Sequence, residues 1–289
     1  MYQIITDSCC DLPYEVLEEH NIVFIPMFIT LDGNEYVDDL GKTFDQESFL
    51  EKIQNGGLPS TSQINVGRYL EYFKGYVDKK IPLLYVAFSS GMSGSYESAC
   101  QAVEMLKEEY DDPSIYVVDT QAASLGEGVL VLEAARLQKE GRSIEETVSW
   151  LEENKSKVHS WVTVNDLKHL ERGGRISKTA AALGGLLNVK PIINVSPEGK
   201  LENVDKVRGR NRALKTVVDE TMRTIVAPLT QTIYIAYAGD QEAAEKVKQQ
   251  LLETKNVGGV ICYPLGPTIA SHTGYGCIAV FSMGITREK

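Results

Sequence analysis

The stretch Phe88-Ser89-Ser90-Gly91-Met92-Ser93-Gly94-Ser95-Tyr96-Glu97-Ser98 decides the fold. It follows an apolar run at 81–88 that reads as a buried strand, and it leads into a helical pattern over 96–110. Gly91 and Gly94 allow backbone angles and close approaches that other residues resist. Ser93 and Ser95 are placed to cap the helix, whose first amides lack internal partners. Free N–H groups, hydroxyls and the positive end of a helix dipole converge there, a combination suited to a carboxylate or a phosphate. Taken alone, the turn reads equally well as an ordinary serine-capped helix.

Upstream of it, 3–6 reads as a strand closing on Asp7-Ser8, and 14–20 as a helix behind Pro13. Residues 22–30 read as a second strand, with Pro26 marking an edge position or a bulge. A helix over 45–53, a polar hydroxyl-rich loop at 58–63 and a helix over 66–77 follow. Downstream, 114–118 is a strand, 121–128 a loop carrying Ser124, Gly126 and Gly128, and 129–139 a helix. Ser143 with Glu146 forms a capping-box signature. This alternation predicts an N-terminal α/β domain with a largely parallel sheet, whose ligands bind beyond the carboxyl ends of the strands.

The second half has a different rhythm. It offers a strand at 161–164, a helical turn at 166–170 and a small-residue helix at 179–187. A hairpin of 191–195 with 201–207, a helix over 212–225, a strand at 232–237 and a helix over 241–253 come next. A strand near 260–263, a glycine-rich loop through His272 and a last strand at 278–282 close the chain. The pattern predicts an α+β domain with a mixed sheet. The expected domains are 1–157 and 158–289, with a ligand at their interface.

Composition narrows the function. Hydrophobic residues at 43% and charged residues at 24% match a water-soluble globular chain. A formal net charge of −11 argues against wholesale binding of nucleic-acid phosphates. The N-terminus lacks the basic region of a signal peptide, and no apolar run spans a bilayer, so a cytoplasmic location is expected. Cys9, Cys10, Cys100, Cys262 and Cys277 are scattered without a C-x-x-C pair, which suggests packing rather than disulfides or zinc. The four histidines show no metal-ligand spacing either, so no metal and no cofactor are expected.

Three hydroxyl-rich turns and one glycine-framed histidine carry the candidate chemistry: Ser60-Thr61-Ser62, Ser90 to Ser95, Ser124, and His272. Ser93, Asp119 and His272 occur in the chain order of α/β-hydrolases, but Ser95 replaces the last glycine of G-x-S-x-G and no oxyanion loop is visible. Walker-type and dinucleotide glycine motifs are absent. Lys168, Arg172, Arg175 and Lys178 form a basic cluster around Gly173-Gly174, fit for an acidic partner or a phosphate. A second basic group, Lys206 to Lys215, reads equally as a solvated face.

Together these segments resemble the DegV family. The motifs are Ile5-Thr6-Asp7-Ser8, Thr61-Ser62-Gln63, Ser89-Ser90-Gly91-Met92-Ser93-Gly94-Ser95, Asp119-Thr120 with Ser124-Gly126-Gly128, Gly173-Gly174-Arg175-Ile176-Ser177, and the His272 loop. Each is weak alone, and the ordered set is specific. The resemblance implies a bound long-chain fatty acid as ligand. It further implies a non-catalytic subunit of bacterial fatty acid kinase, which presents the acyl carboxylate to a separate ATP-binding kinase subunit for acyl phosphate formation and phospholipid synthesis. By the same resemblance Thr61 or Ser62, Ser93 with the Gly94 amide, and His272 hold the carboxylate, with Ser124 behind them. Arg172 and Arg175 contact the kinase subunit or the phosphate. An apolar tunnel lined by Phe28, Ile29, Ile192, Ile193 and the 180–187 helix would take the chain. Transient membrane contact is compatible with that role. The rival readings are a serine hydrolase of acyl esters using Ser93 and His272, and a regulatory protein that senses acyl chains.

Overall fold

The computed structural model describes residues 2–177 and 188–288. The first half runs β1 (Gln3–Asp7), α1 (Tyr14–Glu19), β2 (Val23–Ile25), β3 (Phe28–Leu31), β4 (Asn34–Val37), α2 (Gln46–Gln54), β5 (Ser60–Ser62), α3 (Val66–Val77), β6 (Leu83–Ala87), α4 (Ser95–Glu109), β7 (Ile115–Asp119), α5 (Leu125–Lys139) and α6 (Ile144–Asn154). The second half runs β8 (Val158–Thr163), α7 (Lys168–Arg172), β9 (Val189–Val195), β10 (Leu201–Arg208), α8 (Arg210–Thr224), β11 (Thr232–Tyr237), α9 (Gln241–Glu253), β12 (Gly259–Pro264), α10 (Pro267–Thr273) and β13 (Ile278–Met283).

The chain is a mixed α/β protein. One sheet is parallel throughout, in the order β2-β1-β6-β7. The larger sheet is mixed, in the order β10-β9-β8-β13-β11-β12, with only the β11–β12 pair parallel. A small antiparallel sheet, β4-β3-β5, stands beside them.

Helix α5 joins the two large sheets. Its sequence, Leu-Gly-Glu-Gly-Val-Leu-Val-Leu-Glu-Ala-Ala-Arg-Leu-Gln-Lys, has apolar or small residues around most of its circumference, so both sides require cover. One core cluster accordingly holds Leu125, Leu130, Val131 and Ala134 together with Ile4, Leu84 and Val118 of the parallel sheet. The same cluster holds Val158, Val162, Ala236, Ala279 and Phe281 of the mixed sheet.

Several elements depart from the sequence reading. The 22–30 run is two strands in two different sheets, because Pro26 has no amide to continue a ladder. The polar segment at 58–63 contains β5, which pairs Thr61 with Ile29 of β3. Gly126 and Gly128 lie inside α5 rather than in a loop; both keep ordinary backbone angles and serve close approach instead. His272 sits in the last turn of α10 rather than in a loop, and Pro267 opens that helix. Gly94, not Ser93 or Ser95, is the N-cap of α4; Ser93 Oγ still accepts from the Ser95 amide, the first of the helix, while the Ser95 hydroxyl accepts from the Ile64 amide at 3.1 Å. The helix expected at 179–187 lies outside the described residues.

A Cβ on Gly128 would lie 2.8 Å from the Cys10 carbonyl oxygen and 3.0 Å from Leu12 Cγ, whereas one on Gly75 in α3 would meet nothing within 4 Å. Gly128→Ala is therefore expected to lower stability by about 2–3 kcal/mol through overpacking. Gly75→Ala is expected to raise it by roughly 0.5–1 kcal/mol through helix propensity. Chemical denaturation of the two variants checks both signs.

Candidate functional site

The turn after β6 is braced from three directions. Asp7, at the end of β1, accepts from Tyr85 Oη at 2.7 Å, from the Phe88 amide at 3.1 Å and from the Cys9 amide at 3.0 Å. Asp119, at the end of β7, accepts from the Ser90 amide at 3.1 Å and from Ser90 Oγ at 2.6 Å. From the mixed sheet, the β9–β10 hairpin tip presses on the turn, and Ser89 Oγ donates to the Gly199 carbonyl at 2.7 Å. A Cβ on Gly91 would lie 2.6 Å from two carbonyl oxygens of that tip, so only glycine fits.

Ser93 is held at the turn's end. Its Oγ lies 2.9 Å from Ser95 Oγ and accepts from the Ser95 amide at 3.2 Å. Facing it, β5 presents Thr61 half-buried while Ser60 and Ser62 are exposed, the period-two alternation of a strand. Thr61 Oγ1 lies 2.8 Å from Nε2 of His272. The other ring nitrogen, Nδ1, abuts Gly173, where a Cβ would fall 2.3 Å away.

Two buried carboxylates anchor the start of α10 and so aim His272. Asp11 accepts from the Gly266 amide at 3.0 Å and from Ser124 Oγ at 2.5 Å. Asp38 accepts from the Thr268 amide at 3.3 Å and from Thr268 Oγ1 at 2.5 Å. Burial pushes the Asp38 carboxyl up to about 6, with its hydrogen bonds opposing the shift, and pushes Asp11 well above the usual carboxylate range. In the sequence Asp11 reads only as a turn carboxylate beside Asp7 and Asp38 carries no motif; the role of each is read only once α10 is seen packed on them.

His272 is neutral across the physiological range. Burial, then the Arg175 and Arg172 guanidiniums and His169, depress its imidazole to about 4. Arg175 donates through Nε to the Met92 carbonyl at 3.0 Å and also to the Gly173 carbonyl. Arg172 Nη2 lies 3.1 Å from His169 Nδ1.

These groups stand at one end of an apolar cavity. Its walls include Met27, Phe88 and Met92 from the parallel-sheet side. Val162, Ile193, Val195, Ala279 and Phe281 come from the mixed sheet, and Leu265 and Ile269 from the α10 segment. The space between the walls is about 820 Å³, open solvent at the mouth included. Thr61, Arg175 and His272 also line a surface basin with Leu58, Pro59, His169 and Arg172. The polar end of the cavity thus meets a cationic opening, and the remainder is mostly apolar.

Thr61, Ser93, Ser124, Arg175 and His272 line the cavity together. Ser62 points away, and Arg172 belongs to the basin. Gly94 packs against the Gln63 side chain, which lines the wall in its place. Ile193 is in the wall, but Ile192 faces the α8 and α9 side and Ile29 lies in the core. The hydrolase order Ser93, Asp119, His272 does not assemble into a relay, because Asp119 is bonded to Ser90 and His272 to Thr61. Among the described residues no group of three or more acidic, histidine or cysteine side chains could hold a metal. No helix in those residues is long and apolar enough to cross a membrane. In the second basic group, Arg210 pairs with Asp240 and Lys215 with Asp219, as a solvated face would.

The DegV family model, described as an uncharacterised protein family, matches residues 1–284. A DegV domain-containing protein of Clostridium perfringens is 43% identical over 287 residues, covering 99% of each chain. A structure described as fatty acid binding of a DegV family protein from Thermus thermophilus superimposes with a TM-score of 0.86 at 29% identity, over 98% of this chain and 99% of that one. The Streptococcus pneumoniae fatty acid kinase B3 protein loaded with linoleic acid superimposes with a TM-score of 0.84 at 23% identity, over 98% and 99%, a likeness of fold.

Since His272 is depressed from 6.5 to about 4, its burial favours the folded state fully above pH 6.5, and that contribution is lost as pH falls through this window. NMR of the imidazole nitrogens should find the ring neutral from pH 8 to pH 5. Removing the ring by His272→Gln should flatten the loss of stability between pH 6.5 and about 4.

Proposed function

Because the chain belongs to the DegV family, we propose that it binds a long-chain fatty acid in this cavity and presents the carboxylate to a separate ATP-dependent kinase subunit. The observation that carries this reading is the pairing of a hydrocarbon-walled cavity with one polar end of neutral donors opening onto an arginine-lined basin. In this account the segments 1–157 and 158–289 act as two domains closing on the ligand, which lies between their sheets. The fatty-acid binding of the Thermus relative supports the choice of ligand.

The chemistry follows from desolvation. A buried carboxylate without hydrogen bonds is prohibitively costly. Thr61 Oγ1 and Ser93 Oγ supply donors, and neutral His272, donating from Nε2 to Thr61 Oγ1, leaves the threonine proton free for the ligand; each bond to the ionised oxygen is charge-assisted. None of the three neutralises the charge, so the oxygen keeps its nucleophilicity. A phosphoryl group entering through the basin would meet Arg172 and Arg175, whose guanidiniums suit phosphate oxygens. A carboxylate oxygen would then attack the terminal phosphorus of ATP as the bond to ADP breaks, giving acyl phosphate and ADP. This chain would bind and orient, and the partner would supply the nucleotide site. An acyl-sensing protein without a kinase partner would share the ligand but not the dependence on the basin arginines.

Native mass spectrometry of the purified protein, followed by solvent extraction, should find about one long-chain fatty acid per chain. Thr61→Val and Ser93→Ala should each weaken fatty-acid binding about 10-fold, the worth of one hydrogen bond to a charged group. Arg172→Ala should leave binding intact and lower turnover by the kinase subunit. A protein that stays empty after incubation with fatty acids would defeat the reading.

A further inference from the structure

The far end of the cavity has a floor of defined construction. Cys277, just before β13, and Ala279 and Phe281 within it face the cavity, two small side chains followed by a large one. Alternate strand residues advance by about 6.6 Å, so the groove over Cys277 and Ala279 is blocked at Phe281. The Cys277 thiol is hydrogen-bonded to Thr273, the residue next to His272, so Cys277 stands at the polar end and Phe281, two rungs further along the strand, on the distal side. Across the antiparallel pair Ser160 stands opposite Phe281, and both are in the cavity wall. Ser160 is also shared with a surface depression lined by Trp161 and Arg287, so the wall there is thin.

Behind this last rung lies Gly126, which is not itself in the cavity wall. A Cβ at Gly126 would fall 3.1 Å from Phe281 Cδ1 and 3.2 Å from Ser160 Oγ. Phe281 is 2% exposed and Ser160 4%, so neither can yield toward solvent. The Ser160 hydroxyl is buried without a hydrogen-bond partner, so no hydrogen bond holds it against displacement by a side chain at Gly126. The cavity is the space left for the ring to enter if α5 gains a side chain at this position.

We infer that Gly126 is a positioning residue for chain length: by seating Phe281 and Ser160 it sets how long an acyl chain the cavity accepts. The inference rests on the fatty-acid reading above. It assigns the length limit to a contact between α5 and the mixed sheet rather than to the polar end. Enlarging the side chain at Gly126 moves the floor toward the carboxylate, and trimming Phe281 moves it away.

The test equilibrates delipidated full-length wild type, Gly126→Ala and Phe281→Leu with an equimolar mixture of straight saturated fatty acids from dodecanoic to icosanoic acid, and reads the bound distribution by mass spectrometry. Gly126→Ala should shift the distribution to shorter chains by about one to two methylenes, the scale of the volume added. Phe281→Leu should shift it to longer chains. Equal loss of occupancy at every length, as a merely structural role would give, overturns the inference, and so do unchanged distributions. If Gly126→Ala does not fold, the double variant Gly126→Ala/Phe281→Leu replaces it: a distribution at shorter chains than Phe281→Leu alone sustains the inference, and an equal one overturns it. Wild type that binds no fatty acid overturns the fatty-acid reading with it, whereas binding with unchanged profiles overturns only the floor.

Discussion

A helix that is apolar on nearly every side cannot be left against water, and α5 is such a helix. Leu125, Leu130, Val131 and Ala134 are fully buried, and burial of each larger side chain favours the folded state by about 1.5–3 kcal/mol. The parallel sheet covers one side and the mixed sheet the other. The two sheets are thereby fixed to a common core, and their relative position follows from how closely each approaches α5. Gly126 and Gly128 set that approach, the first toward Phe281 and the second toward the Cys10 carbonyl. The cavity is the space that remains beside the start of this helix, where the β6, β7 and hairpin turns meet.

The polar end is organised by the same economy of charge. Asp7, Asp11 and Asp38 are buried and meet hydroxyls and amides rather than cations. Their carboxyls are pushed upward by burial, and each holds a loop or helix start that carries a cavity residue. The cations stand outward, where Arg172 faces the basin and Arg175 spans basin and cavity. Their field, added to burial, keeps His272 neutral. In the proposed reading a ligand carboxylate would bring its own charge into a region where hydrogen bonds are ready and counter-charges lie at the rim.

Much of the architecture was legible in the chain. The strand Thr232–Tyr237 and the helix Gln241–Glu253 match the pattern to the residue, and the Ser143–Glu146 capping box is present with both bonds. The failures share a cause. In the sequence glycine reads as a sign of loops around Ser124 and His272, but in α5 its missing Cβ serves packing, and at Gly173 it makes room for the His272 ring. Polar β5 carries no apolar alternation, and its strand character comes from pairing with β3. That pairing also turns Thr61 rather than Ser62 into the cavity wall, a choice of register that local sequence does not contain. Hydroxyl-rich turns and the family resemblance led to Thr61, Ser93 and His272. Asp11 and Asp38 carry no such signal, and their role is visible only in three dimensions.

The central claim is that neutral donors at Thr61 and Ser93, the first backed by His272, hold an ionised acyl carboxylate inside the cavity. It is tested most directly by NMR of a bound fatty acid labelled at its carboxyl carbon. The account predicts a resonance of an ionised carboxylate, distinct from that of free fatty acid and displaced in both Thr61→Val and Ser93→Ala. A bound resonance unmoved by either substitution would contradict it.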